Sequence, residues 1–175
     1  MPEGRTLSRG EIGELWAIDR RELIEAVYHC VDGALVLRPE RFDMQGWPPG
    51  EAEKYTPVLE KCYDQGGWFY GLFATGVPVG AAVLGSRLFG RGHDRLQLLY
   101  LHVSTDYRHR GLGQKLFGLT AAEARRRGAR WLYISATPSR RTIDFYMRLG
   151  CTLAAEPDPE LFAFEPEDIH LEYEL

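Results

Sequence analysis

Residues 96–103 read LQLLYLHV, an almost unbroken apolar run. It is far shorter than the ~20 residues that a membrane-spanning helix requires. It is also too apolar for a strand with one wetted face. The pattern is that of a central strand covered on both sides, and such a strand obliges the rest of the chain to supply layers above and below it. The following residues are suited to this. Arg108-His109-Arg110-Gly111-Leu112-Gly113 makes a sharp turn, and a helix then reads to about Arg127, with Gly128 at its C-terminal stop. On a helical wheel Leu112, Leu116, Phe117, Thr120 and Ala124 share one face, opposite Gln114, Lys115, Arg125 and Arg126. A strand at 130–136 (RWLYISA) comes next, then a helix at 140–149 opened by Pro138-Ser139 and closed by Gly150. Apolar stretches at 151–155 and 169–175 (IHLEYEL) complete a sheet. Strand and helix alternate through this half, which implies an α/β layered fold.

Upstream, residues 68–74 and 77–84 read as two strands of a hairpin turning at Thr75-Gly76, followed by a polar loop at 87–95. Residues 11–27 have roughly helical apolar spacing, in two pieces. Residues 30–37 alternate around Gly33 and fit a first strand or a hairpin. Residues 38–50 contain Pro39, Gly46, Trp47, Pro48, Pro49 and Gly50, which exclude a regular helix or a central strand. Residues 51–63 read as a further helix, with Pro57 as a kink or restart. There is no repeat or linker, and 175 residues fit one domain spanning 1–175.

Charge narrows the ligand. The net charge is −4, which argues against nucleic acid as a partner. Basic residues nevertheless gather at Arg108, Arg110, Lys115 and 125–127, a local cluster suited to a small anion. Cys30, Cys62 and Cys151 are odd in number and far apart, with no metal-ligand spacing, so neither a metal site nor a disulfide framework is expected. The first ten residues lack the apolar core of a secretory signal and no span is long enough for a membrane, so the expected location is cytoplasmic.

The turn at 108–113 is the chemically informative unit. The first turn of a helix leaves backbone N–H groups unpaired and carries partial positive charge, so a phosphate placed there accepts several hydrogen bonds at once. Glycines allow close approach and torsions that other residues resist. The Gly-x-x-x-x-Gly-Lys-Ser/Thr pattern of a nucleotide-binding P-loop is absent. About thirty residues on stands Ser139-x-x-Thr142-x-x-Phe145-Tyr146-x-x-x-Gly150-Cys151. Taken together, apolar strand, Arg-x-x-Gly-x-Gly, amphipathic helix, strand, and helix ending in Phe-Tyr-x-x-x-Gly resemble the GNAT superfamily of acyl-CoA N-acyltransferases, from about Trp68 to Ala155. Cys151 stands where a Phe is common.

The resemblance implies a GNAT fold: a mixed, mostly antiparallel central sheet flanked by helices and splayed at its central strands. It divides the chain into acceptor-side helices and loop (1–66), an acetyl-CoA-binding core (67–155) and a C-terminal strand region (156–175). It implies acetyl-CoA as acyl donor, pairing with backbone at Leu101 and Val103, and a pyrophosphate site on Arg108, His109, Arg110, Gly111, Leu112 and Gly113. Ser139 stands where an Asn often contacts the pantetheine. Tyr146 stands where a Tyr donates a proton to the departing thiolate. A Glu base of some members falls on Gln97, and an amide cannot take a proton at neutral pH, which leaves water or substrate orientation for it. His102, Asp94, His93 and Tyr100 are further candidates. Residues 38–50 would wall the acceptor pocket, with Trp47 and Phe42 packing on an amine and Asp43 attracting it. The implied activity is transfer of acetyl to an amine of a small molecule or peptide by direct attack. A non-catalytic acyl-CoA-binding regulatory module of the same fold is the alternative. Oligomeric state stays open, a homodimer included.

Overall fold

Alternating apolar residues in the strands drive two separate clusters, one on each face of a seven-stranded sheet. The computed structural model describes all 175 residues. The chain begins with β1 (Glu3–Thr6) and a 3-10 helix at Arg9–Ala17. The ribbon of β2 (Glu22–Val31) and β3 (Ala34–Met44) follows, then α1 (Glu51–Asp64) and the hairpin β4 (Trp68–Ala74) and β5 (Val77–Leu84). Next come β6 (Arg95–Val103), α2 (Leu112–Arg126), β7 (Trp131–Ala136) and α3 (Arg140–Arg148). Short β8 (Thr152–Leu153), α4 (Pro159–Phe164) and β9 (Ile169–Glu174) end it. The sheet order is β1-β4-β5-β6-β7-β9-β8, with β2-β3 a separate two-stranded sheet. Every pairing is antiparallel except β6 with β7. No helix is long and apolar enough to cross a membrane.

The helical stripe on α2 is the one its spacing predicts. Leu112, Leu116, Phe117, Thr120 and Ala124 are buried, together with Ala121. They pack on Leu96 and Leu98 of β6 and on Leu132 and Ile134 of β7. The other face of the sheet carries Phe69, Ala81, Val83 and Tyr100 against Ile12, Leu15, Ile18 and Leu59.

The first third departs from expectation. Residues 11–27 are not two helical pieces: the 3-10 helix stops at Ala17, and Glu22–Val31 is a strand. The reason lies ahead in the chain. Asp32 and Gly33 both have positive φ (50° and 75°), the geometry of a tight hairpin turn, and Asp-Gly is its strongest local signal. That turn pulls the β-branched and aromatic residues Val27, Tyr28 and Val31 into a ladder with β3. The strand β3 also enters the segment assigned to irregular chain, running through Pro39 to Met44. Pro39 is tolerated because β3 is an edge strand and its register with β2 shifts just after it. The N-terminal region is therefore a ribbon and one α-helix, not a pair of helices.

Two irregularities place the site. β6 and β7 pair only from Arg95 with Trp131 to Leu98 with Ile134, after which β7 continues with β9 alone. In the same place β6 bulges: Val83 faces Tyr100 and Leu84 faces Leu98, leaving Leu99 unpaired with β5. The bulge reverses the alternation, so that beyond it Leu101 and Val103 point to the α2 side and Tyr100 to the other. The central strands splay, as the fold class requires.

Candidate active site

The splay opens into a cleft of about 560 Å³, within the usual range for small-molecule sites. Its walls are the second half of β6, the turn into α2, the end of β7 and one side of α3. Leu101, Val103, Arg108, His109, Gly111, Leu112, Gly113 and Tyr146 all line it.

The turn has the backbone geometry of an anion cradle. His109 (φ 60°) and Gly111 (φ 77°) sit in the left-handed region on either side of Arg110. Such alternation turns successive N–H groups to one side. The backbone N–H groups of His109 through Gln114 find no acceptor in the protein, and the first helical bond of α2 is Lys115 N–H to Gly111 C=O. A Cβ placed on Gly111 meets nothing within 4 Å, so the space beside those donors is open. Gly113 has a different reason: its Cβ would lie 3.2 Å from the Phe145 ring, so glycine lets α2 start flush against α3. These features fit a diphosphate group.

The arginines behave differently from the sequence-based expectation. The Arg108 side chain is not free to meet an anion. Its Nε donates to Val103 C=O (3.0 Å), Nη1 to Arg21 C=O (2.9 Å) and Nη2 to Asp19 C=O (3.4 Å). Thr105 reaches the same two carbonyls of residues 19 and 21. Together they clasp the turn to the chain entering β2. Arg110 lies off the cleft wall, its guanidinium over the Tyr107 ring at 5.2 Å.

Two further assignments need correcting. Gln97 precedes the bulge and lines a separate small cavity near Cys62 and Phe89 instead of the cleft. Ser139 is 1% exposed and caps α3: its Oγ accepts from Thr142 N–H (3.4 Å) and donates to Thr142 Oγ1 (3.0 Å). With its hydroxyl spent and no surface in the cleft, it has no free group for a ligand. Thr142, one turn along, lines the cleft instead.

Tyr146 is 5% exposed, held edge-on by Phe117 and Phe145. Its hydroxyl makes no hydrogen bond within the protein and is not sealed off from the cleft. Burial pushes its phenol well above the usual tyrosine range, so it keeps its proton. Tyr100, by contrast, spends its hydroxyl on Leu15 C=O (2.8 Å). Asp94 is a backbone anchor, its C=O accepting from Arg130 and Trp131, and neither it nor His93 reaches the cleft. His102 does line the cleft.

None of residues 38–50, the expected acceptor wall, lines the cleft. Trp47 lies beneath the cleft, its Nε1 donating to Ile18 C=O. Phe42 is half-exposed on the ribbon, and Asp43 accepts from Gln45. Arg20 and Glu22 reach the cleft instead. Arg20 bonds Glu51 and Thr137 at 3.2 Å each and lies over Trp47, while Glu22 is paired with Arg141 at 2.7 and 2.9 Å. Nothing local marked these residues, because the long-range clasp of Thr105 and Arg108 on the carbonyls of Asp19 and Arg21 holds this stretch of chain against the cleft.

Comparison with known proteins agrees with this geometry. The Acetyltransferase (GNAT) family profile matches residues 37–151, about two-thirds of the chain. Among curated proteins, none matches the sequence significantly. The fold is similar to a nourseothricin acetyltransferase (TM-score 0.69, 21% identity, covering 99% of this chain and 98% of that one). It is similar to the PaiA N-acetyltransferase of Thermoplasma acidophilum in complex with coenzyme A (TM-score 0.62, 15% identity, 100% and 99%). It is also similar to the ribosomal-protein-S18-alanine N-acetyltransferase of Escherichia coli (TM-score 0.61, 17% identity, 99% and 94%). Members of the matched family use acetyl-CoA, and the cradle at 109–114 suits that molecule's diphosphate; by profile, fold and cleft, the chain belongs to the GNAT acetyltransferase family.

Proposed function

We propose that the protein transfers the acetyl group of acetyl-CoA to a primary amine of a small molecule or a peptide, by direct attack in the cleft between β6 and β7. The observation that carries this reading is the conjunction of unpaired amides at His109 to Gln114 with an unpartnered, protonated Tyr146 in one cleft.

Acetyl-CoA supplies an acyl group activated as a thioester. The chain's residues do the rest. The amides of 109–114 hold the diphosphate, and no side-chain charge is needed for this. The unpaired edges left where β6 and β7 part offer backbone groups at Leu101 and Val103 to an amide-containing arm. Tyr146 donates its proton to the departing sulfur, a step worth ~10²–10⁴ in rate. The acceptor enters beside Arg20, Ser135 and Thr137. An alkylamine is mostly protonated at neutral pH, and reaching its neutral form costs about 4 kcal/mol. The proteins of similar fold include a nourseothricin acetyltransferase and a ribosomal-protein-S18-alanine N-acetyltransferase, so the acceptor has to come from experiment.

Free-thiol release from acetyl-CoA across a panel of small amines and peptide N-termini tests the proposal. Amine-dependent release supports it. Tight acetyl-CoA binding with no release for any amine points to the non-catalytic alternative, and no binding at all overturns both.

A further inference from the structure

The proposed reaction leaves one proton without a destination, the one lost by the attacking nitrogen. From the geometry we infer that His102 takes it, an assignment that rests on the transferase reading above. His102 is on β6 opposite Ala81, beyond the bulge, so its side chain shares the face of Tyr100 and is turned away from Leu101 and Val103. It lines the cleft. Neither ring nitrogen has a hydrogen-bond partner in the protein, and neither is shut away from the cleft.

The imidazole is also held in place. Trp47 packs edge-on at 4.8 Å and Tyr100 edge-on at 4.7 Å. Each of those rings is itself pinned to the N-terminal segment, Trp47 through Ile18 C=O and Tyr100 through Leu15 C=O. A reactive side chain fixed by packing and by anchored neighbours is preorganised for transfer. Burial, with Arg20, Arg108 and Arg141 nearby, keeps the imidazole neutral, so one nitrogen retains its lone pair. The one carboxylate that lines the cleft does not compete, since Glu22 is tied up by Arg141.

The step balances as follows. The amine lone pair forms the C–N bond to the thioester carbonyl carbon and the C–S bond breaks. The N–H, made acidic as nitrogen bonds to carbon, gives its proton to His102. Tyr146 gives its O–H proton to sulfur. The imidazolium then returns its proton through solvent to the Tyr146 phenolate. The net products are an amide and a thiol, and both side chains end as they began.

Hydroxylamine is a suitable probe because it is neutral at neutral pH and needs no prior deprotonation. Thiol release from acetyl-CoA with hydroxylamine is followed for wild type, His102→Ala and His102→Gln, alongside acetyl-CoA binding by calorimetry. Both variants lose ~10²–10⁴ in turnover while binding acetyl-CoA like wild type. Imidazoles added to His102→Ala restore turnover, more so as their own basicity rises. His102→Gln, whose side chain fills the space, is not restored. Full turnover in His102→Gln overturns the assignment. So does the absence of rescue in His102→Ala, or rescue indifferent to imidazole basicity, which would mean space-filling alone. Wild type that binds acetyl-CoA but releases no thiol also sinks the role of His102 and leaves the cofactor site standing. Wild type that fails to bind acetyl-CoA sinks the reading beneath it.

Discussion

Replacing Arg108 by Lys separates two roles that a basic residue in an anion-binding turn can have. If the guanidinium met the diphosphate, Lys would keep the charge and much of the affinity while leaving stability untouched. The structure places its work elsewhere. Three N–H groups reach three backbone carbonyls of Val103, Arg21 and Asp19, at 3.0, 2.9 and 3.4 Å. A single ammonium cannot span that fork. Losing two such bonds, at ~1–2 kcal/mol each for a charged donor at a half-buried site, amounts to about 2–4 kcal/mol. For a chain of this length that lowers the melting temperature by roughly 5–15 °C. Differential scanning calorimetry of Arg108→Lys measures it, and acetyl-CoA titration below the transition measures affinity. Once corrected for the unfolded fraction, affinity should change little, because the cradle is made of main-chain donors. A variant that melts like wild type yet loses acetyl-CoA binding would refute the clasp and return Arg108 to direct anion contact.

Tyr146→Phe should lower turnover by ~10²–10⁴ and leave acetyl-CoA affinity unchanged in calorimetry, since only the proton donor is removed. Gly113→Val should weaken both stability and acetyl-CoA binding, because its Cβ would press on Phe145 at 3.2–3.3 Å and tilt the start of α2, overpacking worth ~1–3 kcal/mol. Glu165→Gln should change the pH dependence of stability. Burial, with Asp168 and Glu51 nearby, pushes the Glu165 carboxyl up from 4.5 to about 7 despite Lys54. The native state therefore holds a proton that the unfolded chain releases, and stability falls as pH rises between those values. The variant should melt higher than wild type at pH ~8 and alike at pH ~4.5, by at most about 3 kcal/mol at ~1.4 kcal/mol per pH unit.

What the sequence discloses depends on how locally each feature is determined. The α2 stripe, the β4–β5 hairpin and the run of β6 are set by neighbours in the chain, and each lies within a residue or two of its expected bounds. So is the cradle, because glycine spacing and helix onset are local. The ribbon is decided by the Asp32-Gly33 turn and by docking, with Tyr28 bonded to Asp144 across the chain. An apolar spacing that also suits a helix cannot reveal that. Gln97 shares the sheet face of Tyr100 but lies before the bulge at Leu99, too far along β6 to line the cleft, and nothing in LQLLYLHV announces that bulge. Ser139 illustrates the opposite error. Ser three residues before Thr142 at a helix start is an N-cap signal in its own right, and the cap claims the hydroxyl. The short α4, not among the elements expected above, also has a local signal in Asp158-Pro159-Glu160, where Asp158 accepts from the N–H groups of Glu160 and Leu161.

The central claim is that the free main-chain amides at the start of α2 grip a diphosphate. Amide-resolved NMR on titration with coenzyme A, and separately with pantetheine, which lacks the nucleotide end, tests it most directly. The N–H signals of His109 to Gln114 should move with coenzyme A and stay nearly still with pantetheine. Saturable coenzyme A binding that leaves those six signals in place would contradict it.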